Sequence, residues 1–451
     1  MQHFHFIAIG GAVMHQLASH LGDQGNKITG SDDAIYEPAK SNLEKLGLMP
    51  ESVGWFPDKI TTEIDAIILG MHAKADNPEL LRAQNLGLKI YSFPEFVFEQ
   101  CKNKTRIAVA GSHGKTSITS MIMHMLRVNN KEFDYLVGAK LDGFDFMVKT
   151  SATAPLMVIE ADEYLTSPLD LRSKFLHYQP HIAIISGIAW DHINVFPTFE
   201  EYMETFRIFI KSIQKNGYLI YNGDDEVLVK MIDELKPVLD KSIQLIPYFP
   251  FEFKSVNDES ILLSDNKQFP VNVFGSHNFA NLKSAFEVGK ITGLNEKQIL
   301  ESFQTFQGAA KRLEKIYDNK EKQLTVFRDF AHAPSKVKAT VKAVRERYAE
   351  RKIIAVFELH TYSSLQENFI EHYAHSLDAA DVRILFLDEE ALKIKNKQDL
   401  DETWLKTQFA DETILVFKDA EKLKAKINSE TTDNCVVLLM SSGNFAGMSL
   451  L

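Results

Sequence analysis

The stretch 107–121, IAVAGSHGKTSITSM, decides the fold of the central part of the chain. It begins with an apolar run, continues through small and polar residues to Gly-Lys-Thr, and ends in a segment with helically spaced apolar residues. This pattern predicts a buried strand, a tight loop and a helix that begins at the lysine. Because backbone amides at the start of such a helix bind phosphate oxygens, the stretch predicts a nucleotide site.

The loop departs from the strict phosphate-binding motif at one position, since Val109 stands where the motif has glycine. Gly111 and Gly114 still flank a tight turn, which favours the nucleotide interpretation. Lys115 is expected to reach the terminal phosphates, and the Thr116 hydroxyl is expected to bind Mg²⁺. An ordinary strand-to-helix turn with a chance Gly-Lys-Thr is the alternative. The residues expected to bind the nucleotide are Gly111, Ser112, His113, Gly114, Lys115, Thr116 and Ser117.

Length and composition restrict the class of protein. A chain of 451 residues suggests roughly three domains at about 150 residues each. The net charge of -11 argues against a general nucleic-acid-binding protein. The 2 cysteines, Cys101 and Cys435, are far apart and outside any metal-binding pattern, which favours a reducing compartment. No apolar run approaches the ~18 residues of a membrane span, and the N-terminus lacks a secretion signal. We therefore expect a cytoplasmic protein.

Strands and helices alternate along most of the chain, which predicts an α/β protein with parallel sheets. Polar breaks at 102–105 and 307–310 divide it into predicted domains 1–103, 104–309 and 310–451. The exception is Tyr218–Phe274, where short strands and turns predict an antiparallel flap.

The N-terminal turn AIGGAVMHQ, at 8–16, resembles a dinucleotide-binding loop only in part. That fingerprint has glycine where this chain has Ala8 and Val13, although Gly10 and Gly11 still let the backbone approach a diphosphate. Asp32 follows the second predicted strand, where a ribose-binding acid belongs. A nucleotide diphosphate other than NAD fits this turn best.

Polar side chains follow two predicted strands of the central part. VIEADEY, at 158–164, ends one strand, and its Glu160 is expected to face Mg²⁺ directly or through water. Trp190-Asp191-His192 follows the predicted strand Ile182–Ile188, at the sheet edge where ligands bind. The alternatives are a solvated acidic turn and a structural histidine.

Further candidates lie nearer the C-terminus. HNFAN, at 277–281, places Asn278 and Asn281 on one helical face, where they bind a purine edge or cap the helix. Arg312 lies just after the second break, where an arginine can reach the γ-phosphate. Asp329, in DFAHAP, ends a predicted strand. Each signal is weak alone, and their order is informative.

AGSHGKTS, EADEY, WDH, HNFAN, Lys311-Arg312 and DFAHAP, in this order, resemble the Mur ligases, the ATP-dependent amide ligases of peptidoglycan synthesis. The resemblance covers nearly the whole chain. It implies a Rossmann-like N-terminal domain, a central P-loop ATPase domain and a Rossmann-like C-terminal domain that binds the amine. Within the family, ITGSDDAIYEP, DLRSKFLHYQP and HINVF resemble the murein peptide ligase branch.

The resemblance also implies roles for individual residues. Lys115 is expected to bind the β- and γ-phosphates of ATP, and His332, in DFAHAP, is expected near the reacting groups as a candidate base. The expected Mg²⁺ ligands are Thr116, Glu160 and His192. The expected adenine contacts are Asn278 and Asn281. The residues expected to close the site from the third domain are Arg312 and Asp329. The residues expected to hold the UDP-sugar are Gly10, Gly11 and Asp32.

The implied reaction joins the tripeptide L-alanyl-γ-D-glutamyl-meso-diaminopimelate to UDP-N-acetylmuramate through an acyl phosphate, by a monomer or homodimer that uses ATP and Mg²⁺. Addition of L-alanine alone is the alternative, and a P-loop kinase or NTPase is a more distant one. ELHTYSSL, at 358–365, lacks the arginines expected in relatives, so the amine remains open at this point.

Overall fold

The computed structural model describes residues 1–256, 258–361, 363–367, 369–387 and 400–448. The chain divides into two compact units. The first contains 1–111, 118–188 and 200–248, and the second contains 112–117, 189–199 and the chain from 249 onward. One main sheet lies in each of the three predicted domains. The α/β class is confirmed, whereas the domain limits at 103/104 and 309/310 stay a prediction.

The N-terminal sheet of the first unit is wholly parallel. Its strands and helices are β1 (His3–Ile7), α1 (Met14–Asp23), β2 (Lys27–Ser31), α2 (Ala39–Lys45), β3 (Ala66–Leu69), α3 (Pro78–Asn85), β4 (Ile90–Ser92) and α4 (Phe93–Cys101). The strand order is β2-β1-β3-β4. β1 ends at Ile7 because Ala8, with φ of 68°, leaves the extended conformation. The glycine turn therefore begins at the carboxyl end of a central strand.

The large sheet of the first unit carries the phosphate-loop strand in its middle. Its elements are β5 (Thr105–Ala110), α5 (Lys115–Val128), β6 (Phe133–Leu136), β7 (Val148–Lys149), β8 (Leu156–Glu160), β9 (Leu165–Ser167), β10 (Asp170–Ser173), β11 (Ile182–Ile185), α6 (Phe199–Lys211), β12 (Tyr218–Asn222), α7 (Glu226–Leu235) and β13 (Gln244–Tyr248). The order is β13-β12-β11-β5-β8-β6-β7, and only β7 runs antiparallel to its neighbour. β9 and β10 form a separate hairpin. Residues 107–110 of β5 are fully buried, as a strand covered on both faces requires.

The predicted flap over Tyr218–Phe274 is wrong for its first half. β12 pairs with β11 and with β13 in parallel, and α7 connects β12 to β13. Only the later strands, in the second unit, form an antiparallel sheet. Short strands alone do not reveal the direction of pairing, and the apolar face of α7 is what marks the crossover.

The second unit contains this small antiparallel sheet and a six-stranded sheet. Its elements are β14 (Glu252–Val256), β15 (Glu259–Ser264), β16 (Lys267–Val271), α8 (Ser276–Ile291), α9 (Glu296–Gln304), β17 (Glu314–Asn319), β18 (Leu324–Asp329), α10 (Pro334–Arg347), β19 (Lys352–Glu358), β20 (Val382–Phe386), α11 (Glu402–Gln408), β21 (Leu415–Phe417), α12 (Ala420–Glu430) and β22 (Cys435–Met440). The larger order is β17-β18-β22-β19-β20-β21, and only β17 is antiparallel. Apolar clusters cover both of its faces. Among the described residues, no helix has the length and apolarity to cross a bilayer.

Candidate active site

Glycine is required at the start of the phosphate loop. Gly111 follows β5 directly and has φ of 118°, a conformation that other residues rarely adopt. A Cβ at this position would lie 2.8 Å from the backbone nitrogen of Ser186, just after β11. The loop therefore leaves the sheet through a gap that admits only backbone.

The rest of the loop, 112–117, lies in the second unit against elements that are distant in sequence. Gly114 has φ of 70°, and a Cβ there would lie 2.7 Å from Oδ1 of Asn281 on α8. The Ser112 hydroxyl accepts a hydrogen bond from the Ala189 amide at 2.8 Å. These contacts fix the loop on two sides in front of α5, whose N-terminal amides are suited to phosphate.

Arg312 lies at the first turn of α5. Its Nη2 donates to the Thr116 hydroxyl at 3.4 Å, and its guanidinium lies 4.7 Å from the centre of the Phe330 ring. The cation–π contact restricts the arginine without consuming its charge. Arg312 is thus beside the loop, and its binding to a phosphate stays a prediction.

Asp329 acts as an anchor for the turn that carries Arg312. The carboxylate is buried at the end of β18, where it accepts the Leu313 amide at 2.6 Å and the Ala331 amide at 2.7 Å. The Phe330 amide in turn donates to the Lys311 carbonyl at 2.9 Å. In this structure Asp329 therefore orders the protein backbone, and a direct contact with nucleotide stays a prediction.

His332 has a defined tautomer. Its Nδ1 lies 2.8 Å from the Phe330 carbonyl, which only accepts, so Nδ1 carries the hydrogen and Nε2 carries the lone pair. Burial and then the Lys336 charge lower the pKa of His332 to about 3. The Tyr373 hydroxyl donates to the His332 carbonyl and fixes the backbone. The imidazole is neutral at neutral pH, as a proton acceptor must be.

The segment after β11 carries Asp191 and His192. The strand ends at Ile185, three residues before the predicted Ile188, and His192 has φ of 55°. Asp191 is buried, which opposes its ionisation. The charges of Lys336, His192 and His332, with the hydrogen bond from the His192 amide, together outweigh this effect and lower the pKa of the carboxyl. Asp191 is therefore ionised at neutral pH.

The two asparagines of α8 are engaged within the protein. Nδ2 of Asn278 donates to the Phe274 carbonyl at 2.9 Å, and its Oδ1 accepts from Nδ2 of Asn281 at 3.3 Å. Asn281 also backs Gly114, as described above. The N-terminus of α8 has no side-chain cap, so neither asparagine caps the helix in this structure, and adenine contacts by either residue stay a prediction.

Glu160 lies in the first unit, at the carboxyl end of β8. One oxygen accepts the Gly138 amide at 2.6 Å, which orients the carboxylate over the neighbouring strand β6. Glu163, in the same motif, is fully buried and accepts from the Tyr202 hydroxyl at 3.1 Å. Glu160 and Glu163 thus have different settings, one at the strand end on a backbone amide and the other buried against a tyrosine hydroxyl.

The N-terminal turn also lies in the first unit. The Gly10 amide donates to Oδ2 of Asp32 at 2.7 Å, and burial raises the pKa of this carboxyl. Nδ1 of His15, in the first turn of α1, lies 2.9 Å from the Gly11 carbonyl, so the helix stabilises the turn. Asp32 therefore shapes the glycine turn. Whether Gly10, Gly11 and Asp32 hold a UDP-sugar stays a prediction.

The segment 358–365 begins at the carboxyl ends of the neighbouring strands β19 and β22. Glu358 is 1% exposed and accepts the Phe445 amide at 3.0 Å and the Ser441 hydroxyl. His360 Nδ1 lies 3.6 Å from its other oxygen. In place of the arginines expected in relatives, this segment thus presents the buried Glu358 carboxylate and the half-buried His360 imidazole. Tyr362 lies outside the described residues.

Three family profiles match the chain in succession. They are described as Mur ligase family, catalytic domain, at 3–105; Mur ligase middle domain, at 109–289; and Mur ligase, glutamate ligase domain, at 311–443. A UDP-N-acetylmuramate–L-alanine ligase of Caldicellulosiruptor bescii is 31% identical over 88% of this chain and 86% of its own length. The chain belongs to the Mur ligase family.

A second relative supports the same membership, and solved structures share the fold. A UDP-N-acetylmuramate–L-alanine ligase of Clostridium kluyveri is 31% identical over 98% of this Mur ligase and 95% of its own length. The solved UDP-N-acetylmuramate–alanine ligase of Thermotoga maritima is similar with a TM-score of 0.71, at 20% identity over 99% and 97% of the two chains. The solved UDP-N-acetylmuramate:L-alanyl-gamma-D-glutamyl-meso-diaminopimelate ligase of Neisseria meningitides has a TM-score of 0.60 at 25% identity, over 68% and 98%. The three-domain α/β architecture is therefore confirmed.

As a Mur ligase, the chain is an ATP-dependent amide ligase of the family that builds peptidoglycan. The kinase and NTPase alternative is thereby set aside. For Mg²⁺, the chemistry of the expected donors is informative. The Thr116 hydroxyl and Glu160 carboxylate offer oxygens, which Mg²⁺ prefers, whereas the His192 imidazole suits transition metals better. Each of these two oxygen donors suits Mg²⁺ by its own chemistry, and the binding of the ion stays a prediction.

Sequence reasoning missed two residues that the structure brings to the site. Lys336 lies 3.3 Å from Asp191, and the Ser335 hydroxyl lies 3.2 Å from Nε2 of His113. Both follow His332 at the start of α10, so the DFAHAP motif could have been extended by one helical turn. Nothing local in the sequence indicated their partners.

Proposed function

We propose that this Mur ligase joins L-alanine to the carboxylate of UDP-N-acetylmuramate at the expense of ATP. What carries the proposal is the match, along 98% of the chain, to a protein named for this reaction. The glycine turn at Gly10 and Gly11 adds support, because it can approach the diphosphate of a UDP-sugar.

The first step activates the acid. A carboxylate oxygen of UDP-N-acetylmuramate attacks the γ-phosphorus of ATP, the bond to the β,γ-bridging oxygen breaks, and ADP leaves. Two anions meet in this step, so catalysis depends on positive charge near the transferred group. Lys115, at the start of α5, and Arg312, beside Thr116, supply that charge. Mg²⁺, when bound, would neutralise phosphate charge, and the Thr116 hydroxyl is an oxygen donor suited to it.

The second step forms the amide. The amine nitrogen attacks the acyl carbon, the bond to the phosphate oxygen breaks, and inorganic phosphate leaves. The nitrogen must lose a proton, and the neutral His332 imidazole, with its lone pair on Nε2, is the proposed acceptor.

A second candidate amine is the tripeptide L-alanyl-γ-D-glutamyl-meso-diaminopimelate. It is favoured by the Asp170–Pro180 stretch, which resembles the murein peptide ligase branch and forms β10 and a short helical turn. Arg172 in this stretch is exposed and pairs with Asp170 at 2.7 Å. The similarity to the solved tripeptide ligase of Neisseria, at 25% identity, points the same way.

The test is a substrate competition followed by mass spectrometry. Purified protein receives ATP, Mg²⁺ and UDP-N-acetylmuramate with L-alanine, with the tripeptide, or with both. The proposal predicts ADP release with L-alanine and a product heavier by one alanyl residue. Turnover with the tripeptide alone would overturn L-alanine in favour of the second candidate. ADP release that needs no UDP-N-acetylmuramate would overturn both.

A further inference from the structure

Asp191 divides its two oxygens between different elements of the second unit. Oδ1 accepts the backbone amide of His192 at 2.8 Å, and Oδ2 pairs with Nζ of Lys336 at 3.3 Å. The Asp191 side chain is 9% exposed and that of Lys336 is 23% exposed. One buried carboxylate therefore links the segment 189–199 to the first turn of α10.

Lys336 stands among the groups of the site described above. Of the charged residues that lower the pKa of His113 and of His332, Lys336 has the largest effect on both. Its effect on His113 exceeds that of Lys115, the lysine of the phosphate loop. The ammonium group thus pairs with Asp191, and its charge also acts on His113 of the phosphate loop and on the candidate base His332.

The segment that Asp191 anchors is conformationally demanding. His192 holds φ of 55°, which a non-glycine residue adopts only when its surroundings enforce it. The amides of Val195 and Phe196 donate to the His192 carbonyl at 2.8 and 2.9 Å, and Ala189 is bound to Ser112 of the loop. Movement of Asp191 would therefore be transmitted to both His192 and the phosphate loop.

We propose that Lys336 is a positioning residue, whose ion pair with Asp191 locks the segment 189–199 and the phosphate loop against the helix that follows His332. The inference rests on the proposed function for its catalytic consequence. Lys336 acts through Asp191, and no contact with substrate is required of it. A pair of this kind aligns the reacting groups before the substrates arrive, and misplacement by about 1 Å reduces rates on the order of 100-fold.

The variants are chosen to isolate the ion pair. Lys336→Met removes the charge and keeps the length of the side chain, and Lys336→Arg restores the charge. Asp191→Asn keeps the Oδ1 acceptor for His192 and removes the negative charge that Lys336 needs. Lys338→Met, an exposed position on the same helix, is the matched control.

The experiment combines two measurements on the full chain. ADP release is measured with saturating substrates, and backbone hydrogen exchange is followed by mass spectrometry in peptides that cover 189–199, with β5 peptides as an internal reference. Lys336→Met is expected to lower kcat by about 10- to 100-fold with little change in KM for ATP, and to raise exchange in 189–199 but not in β5. Lys336→Arg should recover most of the rate, and the double variant with Asp191→Asn should be no worse than the poorer single variant.

Three results would overturn the inference. Two of them are wild-type kcat in Lys336→Met and faster exchange that extends through β5, which would mean a general loss of stability. Equal losses in Lys338→Met would do the same. Failure of the proposed function is recognised separately, because the wild-type protein would then release no ADP in response to UDP-N-acetylmuramate. The exchange measurement would still decide the role of Lys336 in that case.

Discussion

The Asp329 carboxylate accepts the backbone amide of Leu313 at 2.6 Å and thereby fixes the turn on which Arg312 stands. Leu313 and Lys311 both have positive φ, 46° and 55°, so the turn is held in a conformation that it would not adopt alone. The position of the arginine beside Thr116 thus depends on an aspartate at the end of a different strand.

Asp329→Asn tests this dependence. The amide group is of the same size, but its NH₂ faces one of the two backbone amides that the carboxylate now accepts, at Leu313 and Ala331. We expect the free energy of unfolding to fall by about 1–3 kcal/mol and kcat to fall on the order of 100-fold. Chemical denaturation and ADP release measure the two effects.

Asp318→Asn is the matched control, because Asp318 is exposed on the edge strand β17, where it pairs with the exposed Lys315 at 2.8 Å. A surface pair contributes about 0–1 kcal/mol, so this variant should keep its activity. Comparable kinetic losses in both variants would refute an anchoring role for Asp329.

Gly114→Ala introduces both backbone strain and a steric clash into the phosphate loop. Comparison with a glycine that has the strain alone separates the two effects. The added Cβ would stand 2.7 Å from Oδ1 of Asn281, and the residue would keep φ of 70°. Binding of a non-hydrolysable ATP analogue, measured by calorimetry, is expected to fall below detection. Gly87→Ala is the control, since Gly87 has φ of 65° and nothing within 4 Å of an added Cβ. It should lose about 1 kcal/mol of stability and bind nucleotide normally. Normal binding by Gly114→Ala would contradict this account of the loop.

His15 predicts a pH dependence at the N-terminal turn. Burial, the largest influence, lowers the pKa of His15, and its bond to Gly11 opposes this only in part. Nε2 lies 2.9 Å from the Gln16 amide nitrogen and 3.2 Å from that of Asn42, so a proton there would face two donors. The unfolded chain takes up this proton near pH 6.5. The stabilisation is therefore complete above about pH 6.5 and is lost as the pH falls toward the folded pKa.

We expect the affinity for UDP and the free energy of unfolding to decline below about pH 6.5, with a shallower decline in His15→Asn. Asparagine keeps a donor for the Gly11 carbonyl and does not titrate. Other buried histidines, His20 and His277 among them, contribute to acid instability with the same sign. The informative quantity is thus the difference in pH dependence between the wild-type protein and His15→Asn. Identical pH profiles for UDP binding would show that protonation of His15 does not affect the turn.

Local patterns predicted those parts of the fold that depend on neighbours in sequence. The strand, loop and helix around Gly111 were predicted from their order of apolar, small and charged residues, and the structure has β5 and α5 there. Residues 107–110 of β5 are buried on both faces, so they form a continuous apolar run that predicts a strand clearly. The parallel pairing of β12 and β13 depends on contacts between segments that are distant in sequence. Local patterns do not record such contacts, and the prediction of an antiparallel flap was wrong there.

The same distinction applies to the site. Arg312 and Asp329 could be selected because they stand at predicted element ends, yet their relation runs through the Leu313 amide, which no motif specifies. Lys336 and Asp191 are 145 residues apart, and only the packing of α10 brings them together. Charged residues on a helix usually face solvent, so Lys336 had no distinguishing signal in the sequence.

The most direct test of the central claim follows one oxygen atom. UDP-N-acetylmuramate labelled with ¹⁸O in its carboxylate is incubated with ATP, L-alanine and the protein, and the released phosphate is analysed by mass spectrometry. If the loop at Gly111 activates the acid as an acyl phosphate, each phosphate carries one labelled oxygen, and Lys115→Ala releases neither phosphate nor ADP. Unlabelled phosphate from the wild-type protein would mean that water, and not the acid, receives the phosphoryl group, and would contradict the account.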